Sequence, residues 1–131
     1  MRKRILLIVA SSLIAQAGTA HAQAYCLGTI SAALTYSDGQ VMIKSSWRNE
    51  WTDICNLNVA WKGVEAQTCW GWFAQLNEAV QRGRIVVIHY PDLPPSGCST
   101  MPIYRDSPRA EYVMPTADAS SVSLQALPAA R

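Results

Sequence analysis

The chain has 131 residues, half of them hydrophobic, with eleven Lys and Arg against nine Asp and Glu. Three of the basic residues, Arg2, Lys3 and Arg4, belong to an N-terminal leader, and without them eight basic residues face nine acidic ones, a balance of about −1. That balance leaves no electrostatic footprint for nucleic acid or an anionic membrane, and the remaining chain of about 107 to 109 residues suffices for one domain with a single modest core.

Met1 to Ala24 reads as a secretory signal peptide: a basic start, an apolar run from Ile5 to Ala17, and small residues ending in Ala-His-Ala and Ala-Gln-Ala. Cleavage is expected after Ala22 or Ala24, which makes the product secreted or periplasmic. The apolar run is too short for a comfortable membrane span. Cys26 follows Tyr25 rather than the cut, so no lipid anchor and no membrane insertion of the mature chain are expected.

From Cys26 the chain alternates. Cys26, Gly28, Ile30, Ala32, Leu34 and Tyr36 share one phase, and Thr29, Ser31, Thr35 and Ser37 the other, which predicts a long half-buried strand with the first set inward. Ser37-Asp38-Gly39-Gln40 supplies the Asp-Gly of a tight hairpin. Val41, Ile43, Ser45 and Trp47 then resume the inward phase, opposite Met42, Lys44, Ser46 and Arg48. A third strand is expected near Thr52 to Leu57, followed by a connection from Asn58 to Gln67.

Thr68 to Tyr90 holds the clearest helix and the clearest buried strand, and the rest of the mature chain is arranged around that pair. Cys69, Phe73, Leu76 and Val80, with Ala79, recur at helical spacing and form one apolar stripe. Thr68 is the expected N-cap, and Gly83, flanked by Arg82 and Arg84, the expected left-handed end. Ile85 to Tyr90 is a β-branched strand. The three prolines and the glycine of Pro91 to Gly97 make a loop. A last strand is expected at Ala110 to Met114, ended by Pro115, and residues 115–131 read as a disordered tail.

The domain therefore spans 25–114 with the order β-β-β-α-β-β, which a small OB-type β-barrel with one helix requires. An α+β open sheet with one covering helix is the alternative. All four cysteines lie in the exported part, and compartment and count predict two structural disulfides rather than a metal or redox site. In an OB barrel the first strand runs antiparallel to the fourth, which pairs Cys26 with Cys98 and leaves Cys55, at the end of the third strand, for Cys69 at the helix start.

The run from Ile54 to Tyr90 has a Cys-bearing strand, a helix of the form Trp-Phe-x-x-Leu-x-x-Ala, a glycine, and the strand Ile-Val-Val-Ile-His-Tyr. It resembles the B subunits of subtilase-cytotoxin type, pentameric glycan-binding OB folds. The resemblance implies the fold, leaves a homo-oligomer open, and assigns no binding residue. The sequence departs from that family in its four cysteines and clustered tryptophans.

All five tryptophans, Trp47, Trp51, Trp61, Trp70 and Trp72, fall within 26 residues. Trp47 is in phase with the core strand. Trp70 and Trp72 straddle the helix stripe, and Trp51 and Trp61 lie in turn-rich sequence. Aromatic faces bind sugar rings and anchor protein interfaces. The expected contact surface joins Lys44, Ser46, Arg48, Trp51 and Trp61 to the loop bearing Asp92. His89 shares the phase of Ile85 and Val87 and reads as a hydrogen-bonded core or rim imidazole.

No acid, base and nucleophile converge, and no nucleophile elbow, phosphate loop, dinucleotide fingerprint, zincin motif or calcium loop is present, so no enzyme, cofactor or metal is expected. The functional expectation is an exported small binding module for a glycan or protein partner. The alternative is a periplasmic inhibitor or immunity-type protein acting by protein contact.

Overall fold

A computed structural model describes residues 23–117; of the expected signal peptide (1–24) and the expected tail (115–131), all but residues 23–24 and 115–117 lie outside the described residues. Five strands, β1 (Ala24–Thr35), β2 (Gln40–Ser45), β3 (Trp51–Asn56), β4 (Ile85–Tyr90) and β5 (Tyr112–Thr116), form one antiparallel sheet in the order β3-β2-β1-β4-β5. The single described helix, α1 (Ala66–Arg82), lies between β3 and β4 in sequence and packs mainly on β1. The sheet is not closed into a barrel: β3 and β5 are its two edges.

β1 is the axis of the sheet because it serves two partners. Its first half pairs with β4, from Ala24 opposite Tyr90 to Thr29 opposite Ile85, and its second half pairs with β2. The register shifts between Ile30 and Ala32. An irregularity of one residue reverses every side chain after it, because side chains on a strand alternate with a period of two. The alternation read through to Tyr36 therefore needs correction: Cys26 and Ile30 enter the core, Ala33 packs against it, and Leu34 and Tyr36 fall into the opposite phase.

The Asp-Gly hairpin forms as expected. Tyr36 and Gln40 are hydrogen-bonded across it, and Gly39 sits at φ 88°, a left-handed conformation that a side chain would oppose. Val41 and Ile43 of β2 enter the core, with Trp47 packed against its margin.

α1 begins earlier than the sequence suggests. Its N-cap is Glu65, with no side-chain capping bond, rather than Thr68, while Gly83 ends it in the left-handed conformation as read. Cys69, Trp72, Leu76 and Ala79 are its buried residues, and Phe73 and Val80 flank them, so Trp72 joins the core. Burying one such large apolar side chain contributes on the order of 1.5 to 3 kcal/mol. This stripe covers Cys26, Ile30, Ile43, Ile54, Val86, Ile88 and Tyr90 on one face of the sheet.

Two disulfides staple the ends of these elements, Cys26 to Cys98 and Cys55 to Cys69, each with Cα atoms 5.5 Å apart. The first holds the 3-10 turn Gly97–Ser99 against the start of β1, and the second ties the end of β3 to the first turns of α1. The last strand lies two residues beyond the expected one, and Pro115 sits within it, opposite Val86. Proline is tolerated there because β5 is an edge, where one row of amides has no ladder partner to lose.

Candidate functional site

The other face of the sheet carries two groups of side chains. On β1, β4 and β5, Tyr25, His89 and Tyr112 are aligned across three strands. The His89 ring stacks on Tyr25 with centroids 4.6 Å apart and tilts against Tyr112 at 5.3 Å. The fully buried imidazole makes no hydrogen bond through either nitrogen among the described residues, so the hydrogen-bonded reading of His89 is corrected to an aromatic sandwich. Burial pushes its pKa down, against the nearby Glu111 carboxylate, which pushes it up.

The second group lies over β2 and β3 and forms a pocket of about 330 Å³ lined by Tyr36, Gln40, Met42, Asp53, Tyr104, Arg105 and Asp106. β2 and β3 bring Met42 opposite Asp53 on this face, and the hairpin brings Tyr36 and Gln40 to its edge. The remaining side is a strap, residues 101–107, that runs along the free edge of β3. Tyr104 makes a parallel bridge with Thr52: its amide donates to the Trp51 carbonyl at 2.8 Å, and the Asp53 amide donates to its carbonyl at 3.4 Å. The Ser107 hydroxyl accepts a second bond from the Asp53 amide at 3.0 Å and itself donates to the Tyr104 carbonyl. Tyr104 adopts φ 53°, a left-handed conformation unusual for a bulky residue, held by these bonds on both sides.

Asp53 is the chemical centre of the pocket. It is 1% exposed, and neither carboxylate oxygen has a hydrogen-bond partner among the described residues. Burial pushes its carboxyl pKa up; Arg105 and Lys62 pull it back, and Asp38 adds to the rise. Both nearby cations already have partners. The Arg105 guanidinium meets the Asp38 carboxylate at 2.6 Å. Lys62 donates its ammonium hydrogens to the carbonyls of Arg105 at 3.0 Å and Ser107 at 2.5 Å, with the Trp61 ring beneath it at 4.6 Å. Gln40 is also satisfied: its amide donates to the Cys55 carbonyl, and its oxygen accepts from Asn56. Asp38 is held below the usual carboxylate range, chiefly by the Gln40 amide it accepts and then by Arg105.

At the rim stand two of the largest exposed apolar surfaces of the described residues, Tyr36 at 52% and Tyr104 at 48%. A small, mostly apolar hollow with aromatic walls and one unsatisfied acceptor group at its base has the usual make-up of a ligand site.

The residues proposed from sequence stand around this pocket rather than in it. Arg48 donates through Nε to the Met101 carbonyl at 2.8 Å, Trp51 supplies the carbonyl that receives Tyr104, and Trp61 backs the lysine that grips the strap. All three therefore hold the strap. Ser46 accepts the Thr29 amide at 3.0 Å and shapes the junction between β1 and β2. Lys44 lies on β2 opposite Trp51, with its carbonyl accepting the Ser31 hydroxyl. Asp92 is exposed in the turn after β4 and does not line the pocket.

The pocket residues were hidden for different reasons. The alternation of β1 points Tyr36 inward until the register shift reverses it, and the strap has no strand pattern of its own. Asp53 gave no sequence signal either, since β3 reads Trp-Thr-Asp-Ile-Cys-Asn, half of it polar; only its burial makes it a carboxylate that needs a partner, a proton or a ligand. No family model, curated protein or solved structure matches the chain.

Proposed function

We propose that this protein is an exported binding module of OB type, and that the pocket over β2 and β3 receives a polar group of a glycan. The connectivity supports the fold reading: the helix falls between the third and fourth strands, and β1 is shared between β2 and β4. The strap lies along β3 where a closing strand would run. OB domains bind chains of sugars or nucleotides on the face of their second and third strands. The near-neutral mature charge argues for the sugar.

The observation that carries the reading is Asp53, a buried carboxylate with no partner at the base of a hollow flanked by exposed Tyr36 and Tyr104. Sugar hydroxyls are donors that match such an acceptor, and sugar rings pack on aromatic faces. The test is a glycan array probed with the mature protein and with Tyr36→Ala and Tyr104→Ala. Each truncation is expected to weaken a genuine ligand by about tenfold or more, as loss of an exposed anchor does. Equal array signals for all three proteins would remove the pocket from the reading.

One observation favours the inhibitor-type alternative. Trp70 and Val59 are exposed at 56% and 59%, and Trp70 is steered by a bond from its indole Nε1 to the Leu57 carbonyl at 3.1 Å. A protein partner captured by wild type and lost with Trp70→Ala, but retained with Tyr104→Ala, would favour that contact.

A further inference from the structure

We propose that the group received by the pocket is an ammonium, with the Asp53 carboxylate as its counter-ion and the Tyr36 and Tyr104 side chains as its walls. The proposal rests on the binding-module reading above and names the chemistry of the ligand's buried end.

Three features of the pocket favour a cationic group over a hydroxyl at the buried end of the ligand. The first is the bonding state of the charged groups. Arg105 and Lys62 are engaged, by Asp38 and by two main-chain carbonyls, whereas the Asp53 carboxylate has no hydrogen-bond partner among the described residues. A cation in the pocket would face the charge of a lining carboxylate whose oxygens are buried and have no hydrogen-bond partner among the described residues.

The second is the local charge count. Asp53, Asp106 and the Asp38 paired with Arg105 are three acids, against the two bases Arg105 and Lys62, so the pocket and its immediate frame carry a formal −1 when all are ionised.

The third is the rest of the lining. Tyr36, Tyr104 and Met42 line the pocket with two aromatic rings and a thioether, soft groups that attract a poorly hydrated cation.

The burial that pushes the Asp53 pKa up also predicts how binding responds to acid. An ammonium favours the ionised carboxylate, so it must displace any proton held there. Its affinity should fall as pH drops through the titration of Asp53 and level off above it. The groups that face Asp53 in this titration are Arg105, Lys62 and Asp38, with Asp106 on the rim.

Choline is the direct probe because its charge does not change with pH. Its uncharged isostere, 3,3-dimethyl-1-butanol, has the same shape. Choline titrated into isotopically labelled mature protein should give saturable shifts at Tyr36, Met42, Asp53 and Tyr104. The isostere should bind about tenfold more weakly or worse, a difference within reach of one cation–π contact plus one counter-ion. Asp53→Asn should abolish that preference while keeping a folded amide spectrum. If Asp53→Asn does not fold, Tyr104→Leu, which keeps an apolar wall but removes the π-face, should lower choline affinity alone.

Equal binding of choline and its isostere, choline binding that does not weaken on acidification towards the ordinary carboxylate range, or shifts elsewhere on the surface would overturn the proposal. A neutral glycan bound in this pocket without choline binding would leave the module reading standing and remove the ammonium. Choline binding without any glycan on the array would do the reverse.

Discussion

Tyr90 lies at the end of β4 with its side chain 0% exposed, on the face covered by α1, and its hydroxyl has no hydrogen-bond partner among the described residues. A buried Tyr→Phe change normally costs stability because it removes a bond. Here it removes a desolvated group that bonds to nothing, a situation that costs about 1 to 3 kcal/mol. Allowing for the packing contacts of the lost oxygen, Tyr90→Phe should stabilise the domain by about 1 kcal/mol, which raises Tm by about 4 to 8 °C at this size.

The same hydroxyl makes an independent prediction at high pH. Burial pushes its pKa well above the ordinary tyrosine value. From about pH 10 upward the unfolded chain releases a proton that the native protein retains. Stability from this group is therefore intact below about pH 10 and falls by about 1.4 kcal/mol per pH unit above it. Tyr112 is shifted in the same direction by burial, so Tyr90→Phe should flatten the alkaline decline without abolishing it. Thermal melts of both proteins near pH 8 and near pH 11 measure both effects. A lower Tm for Tyr90→Phe near pH 8 would mean that the hydroxyl is bonded, and an unchanged alkaline decline would mean that it is not buried; either result refutes the reasoning.

The two helix tryptophans should separate cleanly. Trp72→Ala is expected to cost about 3 to 5 kcal/mol as a core truncation, while Trp70→Ala should cost about 1 kcal/mol or less, since it loses one hydrogen bond and little buried area; urea denaturation reads both. Of the two cleavage sites read from the leader, a cut after Ala22 preserves Ala24, which is fully buried and pairs with Tyr90. The mature N-terminus is therefore expected at Gln23, and intact mass of the exported protein checks it; a start at Tyr25 would show that this first pair is dispensable.

Local rules carried much of the fold into the sequence. The hairpin glycine, the strand Ile85–Tyr90, the end of α1 at Gly83 and the presence of two disulfides follow from periodicity, turn chemistry and cysteine count, all of which act over a few residues or on the chain as a whole. Helix onset was less legible because Glu65 caps through backbone geometry alone, without the side-chain bond that gives Thr68 its appeal.

What only the tertiary structure decided lies in β1 and the strap. One irregularity between Ile30 and Ala32 turns Tyr36 from a core residue into the wall of a pocket, and nothing in the local alternation marks it, because it arises where β1 passes from one partner strand to the other. Residues 101–107 have no pattern of their own. Their conformation is imposed by Arg48, Trp51, Asp53 and Lys62, up to 54 positions away in the chain. Asp53 stands in a strand of mixed polarity and carries no mark in the sequence. Its meaning depends on which charges stand beside it and which of them are already paired, and that is a property of the folded chain.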